Sequence, residues 1–292
     1  MKIGNKIHII NTATFTVILL ILAILVFTQW KATFIGNVER ELADKNASIV
    51  QMITCSADAT IKVYLRTVAE KNRSLMEVFY DRAQSGEMTE DEAFDAFSRL
   101  LLDPEYGKIG ETGYLAGVDT NGVLAIHPKS QGVDASGFEF MQQAMAQRNG
   151  YLEYMWKNSG ETEERAKAGW LAYFEPWDIM VWASSYRSEF AEMVKPEDFR
   201  DKIESVELGS GGYAYIVDGE GDVIIHPERA GENFFDQQDS SGRYFIRDII
   251  EQKEGEMRYT WQGENDTEPR LKLADFSYIE DLDWYVVTTY YQ

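Results

Sequence analysis

Two lysines occupy matching places in a chain of 292 residues, and each is followed six positions later by a tyrosine. Lys167 precedes Tyr173, and Lys272 precedes Tyr278. Each lysine begins a stretch whose residue types favour a β-strand. An ammonium group in a cleft beside phenol donors suits the binding of a small carboxylate. The alternative interpretation is a solvated lysine that protects a sheet edge from pairing with another strand.

Two of the three histidines are each followed by proline, in His127-Pro128 and His226-Pro227. Both pairs end predicted strands, because proline cannot continue the ladder. Each histidine therefore either contacts a ligand or hydrogen-bonds a neighbouring loop. A shared metal site is not expected, since neither is accompanied by a cysteine or a second histidine.

Aromatic residues alternate along two further predicted strands. Tyr154 and Trp156 lie two positions apart, as do Tyr259 and Trp261. Residues two apart share one face of a strand. Each pair therefore faces either the core or the wall of a pocket.

The sequence offers little for catalysis, metal binding or nucleic-acid binding. It contains no Gly-x-Ser-x-Gly elbow, no phosphate-binding glycine loop and no His-Glu-x-x-His motif. The turns that begin at Asp119 and Asp218 lack the glutamate that closes a calcium loop at its twelfth position. The single cysteine, Cys55, excludes an intramolecular disulfide, and the net charge of -21 opposes binding to phosphate backbones. We therefore predict a protein without enzymatic activity, metal or cofactor.

These residues come in pairs because the chain repeats itself. Between Gly110 and Gly132 the second copy follows 99 positions later. From Asp134 the offset becomes 105, because the second copy carries six additional residues, from Asn233 to Gln238. The matching pairs include Tyr114/Tyr213, His127/His226, Phe140/Phe245, Tyr154/Tyr259, Trp156/Trp261, Lys167/Lys272 and Tyr173/Tyr278. A unit was duplicated, and both copies kept one set of residues.

Each copy is predicted to contain two strands, a helix and three more strands. In the second copy the strands are expected at 213–217, 222–226, 256–261, 272–278 and 284–290, and the helix at 240–252. A tight turn, Asp218-Gly-Glu-Gly, joins the first two strands. This order predicts an antiparallel sheet flanked by helices, an α+β fold.

The N-terminal segment is predicted to anchor the chain in a membrane. Residues 9–30 carry no charge and are long enough to span a bilayer as a helix. Lys2 and Lys6 precede this run and Glu39 follows it, which favours a cytoplasmic N-terminus at residues 1–8. The alternative is a cleaved signal peptide, but the sequence after the run lacks an Ala-x-Ala-like site.

A long helix is predicted to follow the anchor. From residue 31 to about residue 83 there is no proline, and the apolar positions recur at helical spacing. This helix is either a free stalk or, in its outer half, a helix packed on its own domain. Thr89 and Glu92 form a predicted capping box for a second helix within residues 31–104.

The motif Gly-x-x-Gly-Tyr-x-x-x-x-Asp-x-x-Gly-x-x-x-x-His-Pro, followed by Asp-x-Ser-Gly, Tyr-x-Trp and a lysine, resembles the Cache domain. Cache domains are extracytoplasmic sensing modules of bacterial chemoreceptors and sensor kinases. The resemblance covers residues 31–292 and is similar to the double-Cache arrangement whose units bind small carboxylates. It implies a membrane-distal unit at 105–195, a linker helix at 196–208 and a membrane-proximal unit at 209–292. The second copy follows the motif more closely than the first.

The resemblance implies a membrane-anchored sensor for a small organic anion, with its bulk in the periplasm or outside the cell. Its expected partners are the plasma membrane, a small carboxylate or amino acid, a second copy paired along the stalk, and a separate signalling protein. Chemotaxis and kinase signalling are both implied outputs. The alternatives are an anchored binding subunit that transmits nothing and a structural envelope protein with degenerate pockets.

The predicted ligand-binding residues come from both copies. In the first copy they are Lys167, Tyr154, Trp156, Tyr173, His127 and Tyr114. In the second copy they are Lys272, Tyr259, Trp261, Tyr278, His226 and Tyr213.

Overall fold

The computed structural model describes residues 3–158, 160–209, 211–263 and 267–292. The chain divides into two compact units. The sheet-1 unit contains Gln51–Phe199 and Ile279–Asp283, and the sheet-2 unit contains Met1–Val50, Arg200–Tyr278 and Trp284–Gln292.

Helix α1 runs from Ile3 to Gln84. Its most apolar stretch has a mean hydropathy of 2.0 and is not buried in the protein, so by length and composition this helix could cross a membrane. In the sheet-2 unit, Val38 and Leu42 of α1 join a small core with Leu208 and Leu273.

The outer half of α1 is a packed domain helix rather than a free stalk. Residues at four-residue spacing, including Ile61, Leu65 and Ala69, are at most 2% exposed and belong to the core of the sheet-1 unit. Helix α2, Glu90–Leu101, adds Phe97 to the same core. The predicted capping box at its start is present, with the two partners hydrogen-bonded in both directions.

Sheet 1 is antiparallel and contains six strands in the order β1-β2-β6-β5-β4, with β3 also paired to β2. Its elements are β1 (Lys108–Ile109), β2 (Gly113–Asp119), β3 (Leu124–Ile126), α3 (Glu139–Gln147), β4 (Gly150–Trp156), β5 (Arg165–Phe174) and β6 (Ile179–Tyr186). Short 3-10 helices follow at Glu175–Trp177 and Arg187–Met193. One face packs against α1 and α2, and the other faces α3 and the loops that precede it.

Arg187 ties distant parts of the sheet-1 unit together. Its guanidinium group is 8% exposed and bonds to Asp58 of α1 at 2.5 Å, to Asp281 at 2.7 Å, and to Glu153 of β4. These carboxylates raise the pKa of Arg187 against the opposing effect of burial. The group therefore stays charged, and its neutralisation depends on three chain segments meeting at one point.

Sheet 2 contains five strands in the order β8-β7-β11-β10-β9 and repeats the plan of sheet 1. Its elements are β7 (Ala214–Asp218), β8 (Val223–Ile225), α5 (Phe245–Gln252), β9 (Gly255–Trp261), β10 (Arg270–Ile279) and β11 (Trp284–Tyr291). Helix α4, Glu197–Glu204, lies in the predicted linker, and a 3-10 helix at Glu280–Leu282 joins β10 to β11.

The predicted α+β fold of paired antiparallel sheets is confirmed, with one shorter element. Helix α5 begins at Phe245 rather than at residue 240. The carboxylate of Asp239 accepts hydrogen bonds from the backbone N–H groups of Ser241 (2.8 Å) and Arg243 (3.0 Å). This turn holds the chain in a non-helical conformation until the helix starts.

Candidate functional site

The sheet-1 unit contains a cavity of about 780 Å³ between sheet 1, the segment from the end of α2 to β2, and the segment from β3 to α3. Five of the six residues predicted for the first copy line it: Tyr114, His127, Tyr154, Trp156 and Lys167. The internal repeat therefore identified residues of β2, β4 and β5 whose side chains line the same cavity.

Lys167 is the charged group at the bottom of this cavity. It lies on β5 opposite Tyr154 of β4 and Tyr186 of β6, and its side chain is 1% exposed. Its Nζ atom lies 4.6 Å from the ring centroid of Tyr114 and 5.5 Å from that of Tyr186. Within the described part of the chain it makes no hydrogen bond and no ion pair. Burial lowers the pKa of Lys167 to about 8, against the opposing effect of nearby carboxylates.

The hydrogen bonds of His127 fix the position of its proton. Its Nδ1 atom accepts from the backbone N–H groups of Lys129 (3.1 Å) and Ser130 (2.9 Å), so this nitrogen carries no proton. The neutral ring therefore holds its proton on Nε2 and donates it to the hydroxyl oxygen of Tyr114 at 3.0 Å. Burial, followed by the charges of Lys167 and Lys129, lowers the pKa of His127 to about 4 and keeps the ring neutral near pH 7. The hydroxyl proton of Tyr114 remains available to an acceptor in the cavity.

Aromatic rings form one wall of the cavity. Tyr154 stacks on Phe140, with ring centroids 4.3 Å apart and an interplanar angle of 13°. Trp156 meets the rings of Phe138 and Phe140 edge-on at 5.5 Å, and Trp182 meets Tyr154 at 5.6 Å. Edge-to-face and offset packing of this kind holds each ring in place.

A glycine makes room for one of these rings. The indole of Trp182, on β6, lies against Gly169 of β5 so closely that a Cβ atom at residue 169 would fall 2.1 Å from Nε1. Any side chain at residue 169 would push the indole away from the strand and change the cavity wall.

The acidic residues nearest to the buried lysine have other partners. Glu161 accepts a hydrogen bond from the Tyr186 hydroxyl at 2.5 Å and pairs with Arg165 at 2.6 Å. Glu189 accepts from the backbone N–H of Thr112 at 3.0 Å and from its hydroxyl at 2.5 Å. Both carboxylates are therefore already engaged in holding the strands and loops around the cavity.

Tyr173 does not line the cavity. Its hydroxyl donates to the carboxylate of Asp178 at 2.8 Å, and Thr120 donates to the same carboxylate at 2.7 Å. Asp178 has a φ of 51°, in the turn between β5 and β6. Tyr173 therefore supports a strand connection, and its place six residues after Lys167 puts it too far along β5 to reach the cavity.

The second copy brings the corresponding residues together around a different arrangement. Lys272 is 1% exposed and donates from Nζ to the hydroxyl of Tyr213 at 2.6 Å. Tyr259 stacks on Phe245 with ring centroids 4.5 Å apart. Tyr278, like Tyr173, lies away from this group and packs its ring on Tyr285.

A phenylalanine where the first copy has Ala135 supplies an aromatic plug in the second copy. The backbone N–H of Phe234 donates to the carbonyl of Gly221 as that of Ala135 donates to Gly122, so the offset of 99 persists here and the six additional residues lie after Phe235 rather than at 233–238. Phe234 is 3% exposed, and its ring centroid lies 6.1 Å from that of His226 and 6.2 Å from that of Trp261. The guanidinium of Arg229 covers the same ring at 4.5 Å. Phe234 thus places a side chain of the protein itself between His226 and Trp261, the counterparts of two residues that line the cavity in the first copy.

Sequence reasoning missed several residues of the cavity. Phe140 was a member of a repeated pair with Phe245, so the repeat itself could have identified it. Phe138, Trp182 and Glu161 have no such counterpart, and only the paired strands and the loop before α3 bring them to the cavity.

A family model for the Cache domain matches residues 27–292 of the chain. The chain belongs to the Cache domain family. Cache domains are extracytoplasmic sensor modules that bind ligands and are not enzymes, which agrees with the prediction that the chain has no catalytic function.

Solved structures of sensor and chemoreceptor ligand-binding domains are similar to the chain. A periplasmic sensor domain of a chemotaxis protein is 25% identical. The match covers 43% of this chain and 94% of that domain, and the TM-score is 0.38. A Cache chemosensory domain described for carboxylic acid recognition is 18% identical. The match covers 43% of this chain and 92% of that domain, and the TM-score is 0.38. The third structure is the ligand-binding domain of the Pseudomonas aeruginosa amino acid chemoreceptor PctB in complex with L-Gln. It is 15% identical, the match covers 84% of this chain and 89% of that domain, and the TM-score is 0.36.

Proposed function

We propose that this Cache protein is a membrane-anchored sensor that binds a small organic carboxylate in the cavity of the sheet-1 unit. The observation that carries the proposal is Lys167, a lysine that is 1% exposed and has no ion-pair partner among the described residues. Burying an ammonium that makes no hydrogen bond and no ion pair is costly, even with carboxylates nearby. An anionic ligand would form an ion pair with Lys167, and this pairing would offset the cost of burying the ammonium.

Three groups of the cavity would bind the carboxylate. The ammonium of Lys167 supplies charge and donors, and the hydroxyl of Tyr114 supplies a further donor because His127 already donates to its oxygen. Tyr154 and Trp156 would contact the body of the ligand. Tyr173 has no part in this proposal, since its hydroxyl is bonded to Asp178.

In the second copy we propose a structural role for the same residue set. Lys272 bonds to Tyr213, and Phe234 lies between His226 and Trp261. These contacts favour a stable core over exchange with a ligand, so the sheet-1 cavity is the proposed sensing site.

Anchoring and signalling form the remaining part of the proposal. The apolar N-terminal part of α1 would cross the plasma membrane once, with residues 1–8 in the cytoplasm and the two sheets outside it. Ligand binding would shift a population between two packings of the sheet-1 unit, and α1 shares the core of that unit. A second copy paired along α1 and a separate signalling protein are the proposed partners.

The test is the binding of carboxylates to the full chain in detergent, measured by calorimetry and thermal shift. The compounds are acetate, pyruvate, lactate, C4-dicarboxylates, 3-phenylpropanoate and amino acids. Lys167→Met removes the proposed counter-ion and is expected to weaken binding by at least about 30-fold, as truncating a buried charged partner typically costs 2–5 kcal/mol.

The matched control is Lys272→Met, which removes the equally buried lysine of the second copy. It is expected to retain binding within about threefold. Equal losses in both variants, or full binding by Lys167→Met, would contradict the assignment of the site. Failure of the unmodified chain to bind any of these compounds would contradict the function itself.

A further inference from the structure

The charges around the sheet-1 cavity define how many charged groups a ligand can carry. Lys167 is the buried cation, while Lys108 and Lys129, which also line the cavity, are exposed. The lining acids Asp103 and Glu161 are bonded to other groups, and Glu111 is exposed at the entrance. A second ligand carboxylate would have no buried cation to meet among these residues. A ligand ammonium would likewise have no free buried carboxylate.

The apolar lining defines the rest of the ligand. The apolar side chains that line the cavity include Phe138, Phe140, Met141, Trp156, Trp182 and Val133, and Thr112, Ser130, Asn158 and Ser184 also line it. Phe138 and Val133 are 48% and 50% exposed, which is unusual for large apolar side chains that already border a concave site. An apolar ligand body would cover them and remove this surface from water.

The size of the cavity favours a large ligand body over a short one. A volume of about 780 Å³ lies in the range of pockets that enclose drug-sized molecules. A two- or three-carbon acid would leave most of the aromatic wall in contact with water. Each additional methylene that becomes buried raises affinity by about fourfold, so a longer body gains where a short one cannot.

From these observations we infer that the ligand is a monocarboxylate with an aromatic or branched apolar body and without an ammonium group. This inference rests on the proposed function, because it uses Lys167 as the carboxylate partner. The carboxylate meets Lys167 and Tyr114, and the apolar body lies along Phe140 and Trp156 towards Phe138.

The experiment is calorimetric titration of the full chain in detergent with compounds that differ by one group. The affinities of acetate and pentanoate are compared with that of 3-phenylpropanoate, which shows how much the apolar body contributes to binding. L-phenylalanine differs from 3-phenylpropanoate by the ammonium, phenylsuccinate adds a second carboxylate, and 3-phenylpropanamide replaces the carboxylate by an uncharged amide. We expect 3-phenylpropanoate to bind at least about 30-fold more tightly than acetate and at least about tenfold more tightly than the other three phenyl compounds.

A pair of variants tests the position of the apolar body. Phe138→Ala is expected to weaken 3-phenylpropanoate about tenfold and acetate less than twofold. Phe235→Ala removes an aromatic side chain of the second copy that is 37% exposed, and it is expected to leave both affinities unchanged. Equal effects of these two variants would contradict the inference.

The outcomes separate this inference from the proposed function. Tighter binding of acetate, pyruvate or L-phenylalanine than of 3-phenylpropanoate, lost in Lys167→Met, would overturn the inference and keep the function. If 3-phenylpropanamide binds as tightly as 3-phenylpropanoate, the charge of Lys167 does not contribute to binding. That result would overturn both the inference and the proposed function. Absence of binding by every carboxylate would overturn both.

Discussion

At the scale of single residues, the buried lysine of the first copy contributes its charge at a cost. Burial lowers the pKa of Lys167 to about 8, against a usual value of 10.5. At pH 7 the side chain is still mostly protonated, so the protein holds a largely buried ammonium at the cavity. A bound carboxylate would favour the protonated form and restore the pKa towards its usual value.

This pKa predicts how ligand affinity depends on pH. Only protonated Lys167 attracts the anion, and the free protein loses this proton as the pH rises through about 8. We therefore expect the affinity for a carboxylate to be nearly constant from pH 6 to 7.5 and to fall up to tenfold per pH unit above about 8. The measurement is the dissociation constant by calorimetry across this range, in buffers with different ionisation enthalpies to count the protons taken up. An affinity that stays constant through pH 9 would contradict the role of Lys167.

Five of the six residues predicted for the first copy line the cavity, for a reason that also explains the exception. A duplication preserves residues that bind and residues that hold the unit together, and spacing alone does not separate the two. Lys167 and His127 lie at the cavity, whereas Tyr173 bonds to Asp178 in a turn. Only the register of β4, β5 and β6 shows which repeated residues meet.

At the scale of secondary-structure elements, β9 and β10 carry a pair of like charges. Asp275 of β10 lies directly opposite Glu256 of β9. Burial first, and then the charge of Glu256, raises the pKa of Asp275 to about 6. Because the folded protein holds this proton more tightly than the unfolded chain, the stability that the group contributes is present at low pH and is lost as the pH rises through about 6.

Asp275→Asn removes this cost. We expect the variant to raise the free energy of unfolding by about 1–2 kcal/mol at pH 7 and to have no stabilising effect near pH 4, where the native carboxyl is protonated. Urea denaturation at the two pH values measures the difference. Glu256→Gln, at the exposed member of the pair, is the control and should give a smaller gain. A loss of stability at pH 7 in the Asp275 variant would contradict this account.

The order and type of the elements could be predicted because they depend on local patterns. Alternating apolar residues and a tight turn define β7 and β8, and the Thr89–Glu92 box defines the start of α2. The position of residues 233–238 relative to the sheet could not be predicted in this way. Phe234 reaches the core through contacts with residues distant in sequence, and no local pattern specifies such contacts.

At the scale of the whole molecule, the net charge opposes the approach of the proposed ligand. The chain carries 49 acidic and 28 basic residues, which gives a net charge of -21. A negative field repels an anion at distances beyond the reach of a single lysine, and dissolved salt screens this field over about 8–10 Å at physiological ionic strength.

We therefore expect the association rate of a carboxylate to increase by about two- to fivefold when NaCl is raised from 20 to 200 mM. Stopped-flow fluorescence can follow it, because Trp156 and Trp182 line the cavity. Sucrose at matched osmolality is the control for effects of water activity. A rate that falls with salt would mean that the lysines around the cavity outweigh the charge of the rest of the chain.

The whole-molecule plan could be predicted further than the details of either unit. The duplication and the apolar N-terminal helix are direct properties of the sequence, and the family match over residues 27–292 agrees with the predicted Cache architecture. Whether the outer half of α1 is a free stalk or a packed helix was not predictable, because apolar residues at helical spacing fit both possibilities. Ile61, Leu65 and Ala69, at this spacing, pack in the sheet-1 core.

The aromatic plug changes what the internal repeat means for the history of this gene. A single exchange, phenylalanine at residue 234 where the first copy has Ala135, fills the space between His226 and Trp261, while the lysine, tyrosines and histidine around it are the same in both copies. Shared residues in the two copies therefore record descent from one ancestral unit and do not by themselves measure present use. When a side chain fills the cavity of one copy of a duplicated unit, only the other copy keeps a cavity. Later selection for a particular ligand then acts on that copy alone.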